Sequence, residues 1–290
     1  MSEIAIMTDS NCGIMPGSEP RPNIHIIPMP VLIDGEIFFE GTSITTVSFY
    51  QKLSGGSQVS TSLPSPWDVI SMWTALLKSY DEIVYIPMSS GLSGSCQTAM
   101  LLAEDYEGKV YVVNNQRISV TQMQSVLDAR DLIKKGYAAA QIRNILEETK
   151  FDSSIYVTVT TLKYLKKGGR ITPAAAMLGT LLQIKPVLTI QGEKLDAFSK
   201  ARTLKQGKTI MMTALKKDLE TRFHDPEARH TWLEIAYTCS DEMAQEFKET
   251  VAEIYPDANI CIAPLSLSIA CHIGPGCLAV ACSGHLKELE

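Results

Sequence analysis

After a hydrophobic strand pattern, the segment Met88-Ser89-Ser90-Gly91-Leu92-Ser93-Gly94-Ser95 crowds hydroxyls and glycines together without a lysine or arginine, and an apolar helix pattern follows. The first amides of a helix have no internal partners and carry partial positive charge, so this geometry suits an anion. A Walker-type triphosphate cradle would place Lys directly before its Ser/Thr, and none is present. A smaller anion such as a single carboxylate fits, held by the Ser93 hydroxyl and the Gly94 amide. The plainer alternative is that these residues only cap a helix and let the chain turn, but a cap alone does not need so many small polar residues. A second hydroxyl cluster, "STSLPSP" at 60–66, offers Thr61 or Ser62 as further donors. His272, in "ACHIGPGCLAV", lies in apolar surroundings beside a Gly-Pro-Gly turn. It reads as a core histidine unless the fold brings it to Ser93.

The competing chemistry is nucleophilic. Gly91-Leu92-Ser93-Gly94-Ser95 is one residue away from the G-x-S-x-G elbow, and His272 follows in the chain order of α/β-hydrolases. That pattern would make Ser93 and His272 the core of an esterase or lipase. Against it, Ser95 replaces the final glycine, no H-G-G-type segment lies upstream, and no aspartate stands out as third member. Cys261, Cys271, Cys277 and Cys282 match no common zinc spacing, so neither a metal nor a cofactor is expected.

Two basic segments stand apart in an acidic chain. Lys163, Lys166, Lys167 and Arg170 lie in "LKYLKKGGRI", and Lys200, Arg202, Lys205 and Lys208 in "SKARTLKQGK". Charge runs are usually solvated faces; the alternative is a docking surface for an acidic or phosphate-bearing partner. No aromatic platform is interleaved, which argues against nucleic acid, as does the net charge of −6.

These residues need a scaffold of about two domains, given 290 residues. Hydrophobic content of 45% and charged content of 20% allow a sizeable core. Seven cysteines without a C-x-x-C indicate a reducing cytoplasm. The start, Met1-Ser2-Glu3 and a short apolar run, does not read as a signal peptide, and His272 with Gly-Pro-Gly interrupts the longest apolar stretch.

Strand patterns at "EIAIMT", "EIVYIPM" and "KVYVVNN" alternate with helices at "PWDVISMWTALL", "SVTQMQSVLDARDLIKKG" and "AAAQIRNILEETK". Ser65, Pro66 and Asp68 carry helix-start signals. "NIHIIPMPVLI" and "EIFFEG" read as strand material around an Asp34-Gly35 turn. The alternation predicts an N-terminal domain, 1–151, with a mostly parallel sheet and flanking helices. Ligands sit at the carboxyl ends of such strands, where Asp9-Ser10 and Ser89 to Ser95 fall. From 152 to 290, strands at "SSIYVTVT", "IKPVLTIQ", "KLDAFSKA", "TWLEIAYT", "NICIAPL" and "CLAVAC" predict an α+β domain on a second sheet. Helices are expected at "PAAAMLGTLLQ", "TLKQGKTIMMTALKKDLETRF" and "DEMAQEFKETVAEIY".

Seven segments occur in the order and spacing of one family. "IMTDSNCGI", "VSTSLPSP", "IPMSSGLSGSCQTA", "YLKKGGRI", "LLQIKPVLTI", "KARTLKQG" and "HIGPG" together make the whole chain resemble the DegV family of bacterial fatty acid-binding proteins. The resemblance implies a long-chain fatty acid in a lipid tunnel between the two domains. Its carboxylate would be bound by Ser93 with Gly94, by Thr61 with Ser62, and by His272, with Arg170 supporting the network. It further implies an ATP-binding fatty acid kinase subunit that docks on Arg202 and Lys205 and converts the carboxylate to an acyl phosphate for phospholipid synthesis. The chain itself would then be a carrier rather than an enzyme. It would have no integral membrane segment and only transient contact with a membrane surface. Asn114-Asn115 replaces the family's Asp-Ser, and Cys96 replaces a bulky residue, so acyl-chain preference is left open.

Overall fold

The computed structural model describes residues 2–14, 23–178 and 184–289. The end of the expected helix "PAAAMLGTLLQ" lies outside them. By contacts the chain divides into two compact units. Unit 1 comprises 1–151 together with 266–268 and 286–290, and unit 2 comprises 152–265 and 269–285.

In unit 1 the strands are β1 (Ile4–Asp9), β2 (Ile24–Ile27), β3 (Pro30–Ile33), β4 (Glu36–Phe39), β5 (Val59–Thr61), β6 (Glu82–Ile86) and β7 (Val110–Val112). Its helices are α1 (Thr46–Ser54), α2 (Pro66–Leu76), α3 (Ser95–Ala103), α4 (Val120–Lys134) and α5 (Ala139–Glu148). Strands β2-β1-β6-β7 form a sheet in which every pairing is parallel. β1 is buried along its whole length, as a strand covered on both faces must be. The segment "NIHIIPMPVLI" at 23–33, read as one stretch of strand material, divides instead. β2 joins the parallel sheet, while β3 and β4 pair around Asp34-Gly35, both at positive φ, in a small antiparallel sheet ordered β4-β3-β5.

Trp73 on α2 is fully buried and meets Tyr85 and Tyr106 edge-on, with centroids 6.1 and 5.4 Å apart. Cys96 is part of the same core, and burial pushes its thiol up to about 12. The departure from a bulky residue at this position is therefore a matter of packing under α3.

Unit 2 carries β8 (Ser153–Thr158), β9 (Lys185–Ile190), β10 (Asp196–Ala201), β11 (Thr231–Tyr237), β12 (Ile260–Pro264) and β13 (Leu278–Gly284). With them are α6 (Lys163–Gly168), α7 (Pro173–Leu178), α8 (Leu204–Thr221) and α9 (Asp241–Ile254). The sheet order is β10-β9-β8-β13-β11-β12, antiparallel except for β11-β12. Helices α8 and α9 supply Met211, Leu215, Leu219, Phe247 and Val251 to its core. Helix α10 (Leu267–Ile273) contains residues of both units. Among the described residues no helix is long and apolar enough to cross a membrane.

Replacing Trp73 by Ala removes the largest buried side chain of unit 1, and truncations of this kind cost about 3–5 kcal/mol. Chemical denaturation should show that loss; a change under 1 kcal/mol would contradict the packing described.

Candidate functional site

The serine turn is built mainly from backbone. The Ser89 carbonyl accepts from the amides of Leu92 and Ser93 at 3.0 and 3.1 Å. The Ser89 hydroxyl accepts from the Gly91 amide at 3.2 Å. The Ser93 and Ser95 hydroxyls share a hydrogen bond of 2.8 Å, and the Ser95 amide donates to Ser93 Oγ at 3.2 Å. Gly94 is the N-cap of α3 and has no side chain to cap the first amides. Helices α1, α2, α8 and α9 differ: Thr45, Ser65, Thr203 and Ser240 each accept a bond from an amide of their own helix. The turn thus exceeds what capping requires, and its half-buried Ser93 and exposed Gly94 lie at a helix start.

The second hydroxyl cluster adjoins it. Thr61 ends β5 opposite Val31 and is half-buried; Ser62 is exposed, and its amide donates to the Pro30 carbonyl at 3.4 Å. Ser65 caps α2 with Pro66 in the first turn, and its hydroxyl donates to Asp68 at 2.6 Å. A β-carbon on Gly94 would stand 4.0 Å from Leu63 Cδ2, so the Thr61–Leu63 loop touches the serine turn. In unit 1, Leu63, which follows Thr61 and Ser62, therefore lies next to Gly94.

Beneath the turn is a polar cluster to which the sequence assigns no role. Asp9 is fully buried at the end of β1. Its carboxylate accepts from the amides of Met88 (2.7 Å) and Asn11 (3.0 Å) and from Gln122 Nε2 (3.3 Å). Burial outweighs these bonds and raises its pKa to about 6. Gln122, on α4, also donates to Thr8 Oγ1 at 3.1 Å and to the Ile86 carbonyl at 3.2 Å. The available signal was a polar Thr8-Asp9-Ser10-Asn11 run at the end of a buried strand.

Unit 2 groups His272 with Arg170. Helix α6 ends on Gly169 at φ +70°, and Arg170 turns back so that its guanidinium donates to the Gly168 carbonyl. Gly168 lies against the His272 ring: a β-carbon there would come within 2.3 Å of Nδ1. A β-carbon on Gly274 would likewise come within 2.3 Å of the Tyr164 ring. The glycines of "KKGG" and "HIGPG" therefore permit close packing that any larger residue would break. Burial, and secondarily the Arg170 charge, lower the His272 pKa to about 4, leaving the ring neutral at pH 7.

This geometry does not favour a serine nucleophile. In a Ser–His–Asp triad a carboxylate stabilises the imidazolium, whereas here a guanidinium opposes it. Ser93 also lacks the strained backbone of an elbow; positive φ at described non-glycine residues occurs at Asp34, Gln116, Ser119, His224 and Ala228. Arg202 and Lys205 are exposed where β10 leads into α8, and the Arg202 amide donates to Gln206 Oε1 at 2.8 Å.

An α/β unit with a parallel main sheet and a small antiparallel one, followed by a mixed-sheet α+β unit, defines the class of fold. The chain belongs to the DegV family, whose model, described as "Uncharacterised protein, DegV family", matches residues 3–284. A DegV domain-containing protein of Staphylococcus aureus is 28% identical over 280 residues, covering 97% of this chain and 98% of that protein. The solved structure of a fatty acid-binding DegV family protein from Thermus thermophilus superposes with a TM-score of 0.87 at 29% identity, covering 97% and 99% of the two chains. DegV of Bacillus subtilis, a fatty acid-binding protein, gives 0.85 at 26% identity, covering 98% and 100%.

Titration by NMR should place the His272 midpoint near pH 4, well below the usual value of about 6.5, and Arg170→Ala should raise it. An ordinary midpoint would contradict the buried, neutral ring. The linkage signs are opposite for the two groups. Stability from His272 is present above the unfolded pKa and lost as pH falls through about 4. Stability from Asp9 is present below its unfolded value and lost as pH rises through about 6. Denaturation of Asp9→Asn against wild type between pH 4 and 7 should isolate the second effect; parallel profiles would contradict it.

Proposed function

We propose that this chain binds a long-chain fatty acid and presents its carboxylate to a separate ATP-dependent kinase subunit, which forms an acyl phosphate for phospholipid synthesis. The observation that carries the reading is the serine turn: paired hydroxyls and a glycine-capped helix start, adjoining a second hydroxyl loop, with no cation in either sequence segment. Fatty acid binding by the related DegV proteins supports the ligand class.

In this reading Ser93, the Gly94 amide, Thr61 and Ser62 bind the carboxylate, His272 joins as a neutral donor, and Arg170 supports His272. A carboxylate carries a single charge, so neutral donors suffice for it. They also release the phosphorylated product more readily than a bidentate arginine would. The apolar tail supplies most of the affinity, at about 0.8 kcal/mol per buried methylene. The chain is a carrier, with phosphoryl transfer performed by the partner.

A hydrogen bond to a charged group contributes about 1.5–3 kcal/mol. Ser93→Ala should therefore weaken palmitate binding roughly tenfold or more at an unchanged melting temperature, as read by calorimetry. Unchanged affinity would remove Ser93 from the site. Arg202 and Lys205 are assigned to docking. Arg202→Ala should leave palmitate affinity intact and weaken kinase-dependent phosphorylation in a salt-sensitive way. Loss of lipid binding with normal docking would reverse that assignment.

A further inference from the structure

The connection from β7 to α4, Asn114-Asn115-Gln116-Arg117-Ile118-Ser119, contains two non-glycine residues in backbone conformations that favour glycine. Gln116 has φ +55°, and Ser119, the residue before α4, has φ +56° with ψ −133°. The second pair of angles lies outside even the left-handed helical basin. Ser119 does not repay this as a helix cap, since its side chain makes no capping bond. The histidine of unit 1, His25, is engaged with Tyr80 at 3.3 Å.

The loop does bear on the serine turn. The Arg117 carbonyl accepts from the Ser89 amide at 2.8 Å, and Ser89 is the residue around which Gly91, Leu92 and Ser93 are bonded. Arg117 is buried, its guanidinium donates to the Thr149 carbonyl at 2.8 Å, and its amide donates to Asn115 Oδ1 at 3.4 Å. Three residues beyond Ser119, Gln122 donates to Asp9, and Asp9 holds the Met88 amide. Met88 and Ser89, the two residues that enter the turn, are thus both held through the stretch 114–122.

We propose that Gln116 and Ser119 are positioning residues, whose strained backbone fixes the shape of the 114–119 loop and, through Arg117 and Gln122, the placement of Ser93. A turn that needed only to reverse the chain would be easier with glycine at both positions. Glycine would also free the loop to sample other shapes, whereas the β-carbons of Gln116 and Ser119 restrict it. Strain kept at a binding element serves preorganisation, and its release trades stability against function. The proposal rests on the fatty acid reading for its ligand, but not for its mechanics.

Gln116→Gly and Ser119→Gly should hold or raise the melting temperature, by up to about 2–4 °C. They should weaken palmitate binding roughly fivefold to tenfold and speed hydrogen exchange at the Leu92 and Ser93 amides. Gln116→Asn should restore wild-type affinity and exchange, because asparagine tolerates positive φ without glycine's freedom. The exchange measurement needs no ligand. If the wild type failed to bind palmitate, the fatty acid reading would fall, while exchange would still decide whether the loop positions the turn. Glycine variants with unchanged exchange would overturn the proposal. So would variants that lost stability and affinity together, since that marks a merely structural role.

Discussion

At the end of β1 a carboxylate has been taken out of water, and the main chain that enters the serine turn hangs from it. An ionised Asp9 with no solvent must be met by N–H donors, and it is met by two backbone amides and one side-chain amide. Those bonds fall short of full compensation, because the pKa remains raised to about 6. A shift of that size corresponds to roughly 3 kcal/mol favouring the protonated form. The same bonds decide geometry. Met88 stays where Asp9 needs its amide, so Ser89 leaves β6 in a fixed direction and the bonds around it lead into Gly94, which lies next to Leu63.

The other set of candidate site groups, in unit 2, is organised by the absence of side chains. Gly168 and Gly274 let the end of α6 and the loop after α10 lie against His272 and Tyr164 at distances no β-carbon permits. Arg170, folded onto the Gly168 carbonyl, contributes a positive charge that disfavours a protonated His272. The result is a neutral imidazole, poorly suited to take a proton from a serine and well suited to donate a hydrogen bond to an anion. In both units the chemistry offered is recognition by neutral donors.

Much of this was legible in the sequence, for physical reasons. Strands buried on both faces leave continuous apolar runs, so β1, β6 and the strands of unit 2 could be read directly, and Ser65-Pro66-Asp68 announced α2 as helix starts do. Asp34-Gly35 announced the β3–β4 turn. The division of 23–33 between two sheets was not legible, because strand pairing is a tertiary choice that an apolar run does not encode. The serine turn could be found because hydroxyls and glycines exceed what a cap needs. Asp9 and Arg117 could not be given roles, since a single aspartate or arginine in a loop says nothing about which distant amide or carbonyl it will meet. Gln116 and Ser119 carry no signal at all; they matter because glycine is missing where the backbone calls for it.

The central claim is that this chain carries a fatty acid. The most direct measurement is denaturing solvent extraction of the natively purified protein, followed by mass spectrometry of the extract. The account predicts a long-chain fatty acid approaching one molecule per chain, and its depletion in protein bearing Ser93→Ala. An extract without fatty acid, from protein that also fails to take up added palmitate or oleate, would contradict it.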